Sequence, residues 1–145
     1  MKWLCLPGWA TDASVFDGLL PENASRLDID YNFFKEGDFP SSEDLRQYIP
    51  PEDYAILAYS MGTLSALQLS QVKQPTKMVL IGGFSYFCGF EKTEIKKRRI
   101  MCRQMSKQVQ TSAAETVRHF REVNDLSTLP QPDYYNTQAL IDGLN

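Results

Sequence analysis

Residues 55–69 read AILAYSMGTLSALQL, and the way this stretch folds decides the rest of the chain. Its first half is an aliphatic run, and its second half spaces leucines as a helix does. A buried strand that hands over to a helix across a tight turn at Ser60-Met61-Gly62 satisfies both patterns. Residues 54–59 are then a strand. The helix that follows turns Leu64, Leu67 and Val72 to one side.

The same grammar extends in both directions. Upstream, KWLCL is a short apolar run stopped by Pro7-Gly8-Trp9, a strand ending in a turn. TDASVFDGLLP predicts a short helix capped by Thr11 or Asp12, with Val15, Phe16, Leu19 and Leu20 inward. RLDIDY alternates Leu27 and Ile29 with aspartates and reads as a second strand nearer a sheet edge. NFFKEGDFP is loop, and SSEDLRQYI is a helix capped by Ser41 or Ser42 that closes before Pro50-Pro51. Downstream, KMVLIGG is a fourth strand stopped by two glycines. Strands alternating with helices predict an α/β protein with a parallel sheet of about four strands, covered by helices on both faces. Beyond Gly83 no strand is predicted. A long basic helix begins near residue 91, another follows over TSAAETVRHFREVND with Thr111 or Ser112 as its cap, and a last helix closes the chain.

The bulk composition narrows the function. The 145 residues suit one core, and 43 % hydrophobic with 23 % charged residues is an ordinary globular balance. A net charge of -3 gives no case for nucleic acid. The charge is uneven, however. Residues 91–107 hold Lys92, Lys96, Lys97, Arg98, Arg99, Arg103 and Lys107 against Glu91 and Glu94, a local +5 that leaves -8 on the remainder. Such a segment suits an acidic partner, and a solvated helix face is the alternative. Cys5, Cys88 and Cys102 are widely spaced and odd in number, which predicts reduced thiols and a cytoplasmic protein. No run is long enough for a signal peptide or a membrane span. No zinc cluster, dinucleotide fingerprint or Walker motif is present, so neither a metal nor a cofactor is expected.

Ser60 admits two readings, a nucleophile or a small residue at an ordinary turn. A serine hydroxyl needs a base to activate it and donors to hold the oxyanion it creates. The context of Ser60 is an apolar strand, A-x-S-x-G, and an apolar-striped helix. A second motif, CLPGWATDASVF, ends the first strand. Together they resemble the α/β-hydrolase family, with Ala58 in place of the usual first glycine and Pro7 in place of the usual histidine. The resemblance implies a three-layer α/β-hydrolase fold with a partial parallel sheet and a helical lid. Residues 1–83 would form the N-terminal part of the core and residues 84–145 the lid. Ser60 would be the nucleophile, and the backbone amides of Trp9 and Met61 the oxyanion hole. Trp9, Phe84, Tyr86, Phe87 and Phe90 would line an acyl pocket.

Within that family, PGWATDASVF and the tail LPQPDYYNTQALIDGLN resemble the carboxylesterases of biotin synthesis, which hydrolyse pimeloyl-carrier-protein methyl ester. The likeness implies an ester or acyl substrate carried on an acidic acyl carrier protein. Lys96, Lys97, Arg98, Arg99 and Arg103 are candidates to meet it. A thioesterase or other acyl hydrolase of the same fold shares every motif. A non-catalytic α/β protein that binds an acidic partner through its basic helix is the remaining alternative. The family places its catalytic Asp and His after later strands, so the resemblance also implies an N-terminal half plus lid, inactive alone. Such a fragment would expose the sheet edge beside its fourth strand, and would be insoluble, dimerise through that edge or pair with the missing half. His119 reads as an exposed helix residue, and no residue here is assigned as the acid or the base.

Overall fold

Four parallel strands form one sheet in the order β2-β1-β3-β4. They are β1 (Lys2–Leu6), β2 (Ser25–Asp28), β3 (Tyr54–Tyr59) and β4 (Lys77–Ile81). The helices are α1 (Ser42–Arg46), α2 (Gly62–Val72), α3 (Lys92–Thr111), α4 (Ala113–Val123) and α5 (Thr137–Asp142), with a 3-10 turn at Ala13–Phe16. This computed structural model describes residues 1–84 and 87–145. The chain divides into two compact units, Met1–Asp30 with Pro40–Ser85, and Tyr31–Phe39 with Tyr86–Asn145.

The first unit is the three-layer α/β arrangement that the alternating pattern predicts. β1 and β3 are central, in register from Lys2 opposite Tyr54 to Leu6 opposite Ala58. Side chains alternate across a strand, so a central strand must be apolar on both sides. On one face, Cys5 and Leu57 pack with Phe16 of the 3-10 turn, and Trp3, Val15, Leu20 and Tyr59 close over them. On the other face, Leu4, Leu6, Ile56 and Ala58 are fully buried, and α2 packs on β1 and β3. α1 leans on α2 and opens with a capping box, Ser41 Oγ accepting from the Asp44 amide while the Asp44 carboxylate accepts from the Ser41 amide.

Three expectations about this unit are corrected. The face of α2 that is buried is Gly62, Thr63, Ala66 and Leu69, not Leu64, Leu67 and Val72; Val72 is 53 % exposed. Small residues win because they let the helix axis approach the sheet, and bulk at those positions would hold it off. The predicted helix over TDASVFDGLLP is one 3-10 turn capped by Asp12, and Leu19 lies outside it, exposed. β2 stops at Asp28, although the Ile29 amide still donates to the Cys5 carbonyl at 2.9 Å.

The two sheet edges are finished differently. On β2, Arg26 pairs with Asp17 at 3.2 Å and Asp28 at 3.1 Å and donates to the Ala13 carbonyl, covering the edge with charge. β4 carries no such cover: every residue from Lys77 to Ile81 is exposed, and Met78, Val79, Leu80 and Ile81 are each 37–38 % accessible.

In the second unit α3 packs against α4 and α5. Ser112 ends α3 and caps α4, its Oγ accepting from the Glu115 amide. Residues 31–39 belong to this unit through aromatic packing: Tyr31, Phe33 and Phe39 have ring centroids 5.3–5.9 Å apart, and Phe34 meets Tyr135 edge-on. Asn136 fastens them. Its Nδ2 donates to the Lys35 and Gly37 carbonyls at 2.9 and 2.8 Å, and its Oδ1 accepts from the Ala139 amide to cap α5. The Arg121 guanidinium lies 5.1 Å from the Phe34 ring centre and donates to the Pro130 carbonyl.

Candidate active site

The turn after β3 is a sharp strand-to-helix turn. Ser60 has φ +49°, left-handed backbone that an L-residue with a Cβ avoids. Its amide donates to the Ile81 carbonyl at 2.9 Å, which ties the turn to the end of β4. α2 starts two residues later, with Met61 as its N-cap. An amide in the first turn has no helical carbonyl four residues back, so the Met61 N–H is available to a ligand by its position.

Gly62 explains how the elbow can sit so close to the first strand. A Cβ at this position would lie 2.0 Å from the Leu6 carbonyl oxygen and 2.5 Å from that of Pro7. Only glycine fits, and its absence of a side chain brings the end of β1 against the start of α2. Gly8 repeats the device from the other side, since its hypothetical Cβ would lie 3.2 Å from Ser60 Cβ and 3.0 Å from the Tyr59 ring. The β1 loop is thus laid directly beside Ser60, and Trp9, 5 % exposed, is its next residue. The Gly8 carbonyl accepts from both the amide and the hydroxyl of Thr11, at 3.3 and 2.8 Å. A planar trans peptide puts its N–H opposite its C=O, so these two bonds fix the direction of the Trp9 amide.

Two buried threonines therefore position the candidate site, and sequence reading missed both roles. Thr11, expected as a helix cap, holds the loop that carries Trp9. Thr63 is fully buried and braces the elbow: its hydroxyl donates to the Ser60 carbonyl at 2.6 Å, and it accepts from the Phe84 amide at 3.3 Å. A hydroxyl three residues after a turn residue is the local signal for such a brace.

The remaining candidates fall as follows. Phe84 is held to Thr63 by its backbone. Tyr86 lies outside the described residues. Phe87 is stacked by Arg98, whose guanidinium lies 5.2 Å from the ring centre and whose Nη1 donates to the Phe87 carbonyl at 2.7 Å. Phe90 is 82 % exposed. Arg98 also meets Glu94 at 3.4 Å and is half-buried, whereas Lys96, Lys97, Arg99 and Arg103 are exposed. Lys92, Lys96, Arg99, Arg103 and Lys107 recur at three- and four-residue steps and make a single basic stripe along α3, with Glu94 on the opposite side. His119 is exposed on α4.

Cys5 is fully buried, and burial beside Asp28 pushes its thiol from 9.0 up to about 11, so it is an inert core thiol. Among the described residues no cluster of His, Cys, Asp and Glu could hold a metal ion, and no helix is long and apolar enough to cross a membrane. No protein-family model and no curated protein matches the chain.

Proposed function

We propose that the protein is a serine acyl hydrolase of the α/β-hydrolase type, with Ser60 as nucleophile. The observation that carries this reading is the left-handed backbone at Ser60, set between a parallel strand and a helix and packed against the β1 loop through Gly62 and Gly8. Backbone strain of roughly 1–3 kcal/mol persists at a turn when surrounding structure imposes it, and such positions concentrate at active sites.

In this reading Ser60 Oγ attacks the carbonyl carbon of an ester while a base takes its proton. The Trp9 and Met61 amides hold the oxyanion. The carbon–alkoxy bond breaks, the proton passes to the leaving alkoxide, and an acyl-serine forms. Water then attacks the acyl carbon and releases the acid. Ser60 would be the nucleophile and the two amides its donor frame; with no base assigned among the described residues, little or no turnover is expected of these 145 residues alone. The basic stripe of α3 supports an acyl group delivered by an acidic carrier protein, with the methyl ester of pimeloyl-acyl-carrier protein as the substrate proposed from the sequence resemblance. Thioester chemistry would use the same groups.

The deciding experiment is covalent labelling of Ser60 by a fluorophosphonate, read by intact mass with and without imidazole as an added base. An adduct on Ser60 that imidazole accelerates, absent from Ser60→Ala, is expected. No adduct under either condition overturns the assignment. The α3 stripe would then favour a non-catalytic protein that binds an acidic partner, a reading tested by binding to acyl carrier protein.

A further inference from the structure

We infer that Thr63 is a positioning residue for the oxyanion donor at Met61, an inference that rests on the reading of Ser60 as nucleophile. The Ser60 carbonyl accepts two bonds from this one residue, from the Thr63 amide at 3.0 Å and from the Thr63 hydroxyl at 2.6 Å. The Ser60 carbonyl and the Met61 N–H belong to the same peptide plane and point in opposite directions. Two donors that hold the carbonyl therefore hold the N–H as well, and aim it out of the start of α2. The hydroxyl has one proton to give, and the 2.6 Å contact takes it ahead of the Phe84 carbonyl at 3.4 Å. The hydroxyl oxygen in turn accepts from the Phe84 amide at 3.3 Å. The Phe84 N–H, the Thr63 O–H and the Ser60–Met61 peptide thus form a relay that ends on the donor, and each bond in such a chain polarises the next.

The surroundings of Thr63 hold it in one orientation. It is fully buried, and its branched side chain is stiff. Gly83 lies against it: a Cβ on Gly83 would stand 3.2 Å from Thr63 Cγ2 and 3.4 Å from Thr63 Cβ. This packing keeps the methyl group on the Gly83 side and the hydroxyl on the Ser60 carbonyl. The Ser60 amide is bound as well, donating to the Ile81 carbonyl at 2.9 Å. Both peptide groups of Ser60 are therefore held, which is what a residue at φ +49° needs in order to stay there. The other candidate donor repeats the arrangement. The Gly8 carbonyl, which shares its peptide with the Trp9 N–H, accepts from the amide and the hydroxyl of Thr11, three residues on and also buried. A threonine that bonds back to a carbonyl of its own turn is common. What sets these two apart is the peptide each one grips, since its other side carries a proposed oxyanion amide.

The test is the rate at which a fluorophosphonate labels Ser60 of the full chain, with imidazole as added base, measured by intact mass over a range of probe concentrations. An oxyanion donor acts on the transition state and not on the bound probe. Thr63→Val keeps the shape of the side chain and removes the hydroxyl. It should lower the limiting rate roughly tenfold, less than the loss of a whole donor, and leave the half-saturating probe concentration unchanged. Thr63→Ser keeps the hydroxyl and removes the methyl group, and should restore most of the rate. A role in packing alone predicts the reverse order, with Thr63→Val unimpaired and Thr63→Ser the slower, and that result overturns the proposal. Equal rates in all three proteins overturn it too. No adduct on the unmodified protein overturns the nucleophile reading, and this proposal falls with it. If Thr63→Val loses its circular dichroism, Thr63→Ala against Thr63→Ser decides, because the two differ by the hydroxyl alone; equal rates then overturn the proposal.

Discussion

At the scale of single residues, Ser60 and Gly62 carry opposite demands on one turn. Ser60 holds a conformation that glycine would adopt more readily, so Ser60→Gly should be more stable than Ser60→Ala by about 1 kcal/mol, measured by urea unfolding. Neither variant should take up the fluorophosphonate. Gly62 is the converse case: Gly62→Ala must force backbone apart at Leu6 and Pro7, and should cost about 3 kcal/mol, the upper end for overpacking. The sequence made A-Y-S-M-G visible as a turn between strand and helix, because apolar periodicity changes across it. It could not reveal that Gly62 faces two carbonyls more than fifty positions away, nor that Thr11 and Thr63 brace the two loops. Those contacts depend on which strands become neighbours, and no local pattern encodes that.

Among elements, strands were the more legible. Three announced themselves as apolar runs and β2 by its alternation, and their parallel direction followed from the helical segments between them. The edge position of β4 was expected from the family resemblance and not from composition, because a buried parallel strand and an unprotected edge strand have the same apolar composition. The inner face of α2 was misread for a related reason. Leucine spacing signals a helix, but the closest approach to a sheet selects the small residues beside the leucines. Residues 31–39 looked like a connector and instead belong to the helical unit, through bonds from Asn136 to Lys35 and Gly37 across about a hundred positions. Asn136→Ala removes a helix cap and two further hydrogen bonds, and should cost roughly 2–4 kcal/mol. Amide exchange should show α5 and residues 31–39 losing protection together. Independent behaviour of the two segments would mean that Asn136 is only a cap.

For the whole molecule, titration and charge set the behaviour. Burial raises the thiols of Cys5 and Cys102 and the phenols of Tyr54 and Tyr59 above their ordinary values. Each group is neutral when protonated, and the unfolded chain releases these protons first. The stability they contribute is therefore complete below pH 9.0, the ordinary thiol value, and falls as the pH climbs toward about 11, where Cys5 itself ionises. Unfolding midpoints measured across that window should drop, and Cys5→Val should flatten part of the slope. The basic run of α3 was legible from composition, and on the helix Lys92, Lys96, Arg99, Arg103 and Lys107 align along one side with Glu94 turned away. That arrangement makes net charge a poor guide to how the protein meets a charged surface. At neutral pH the chain, at -3, should still be retained on a cation-exchange column, oriented with α3 toward the matrix. Lys96→Glu, Arg99→Glu and Arg103→Glu together should send it through unretained, because chromatography reads the face a molecule presents and not its sum.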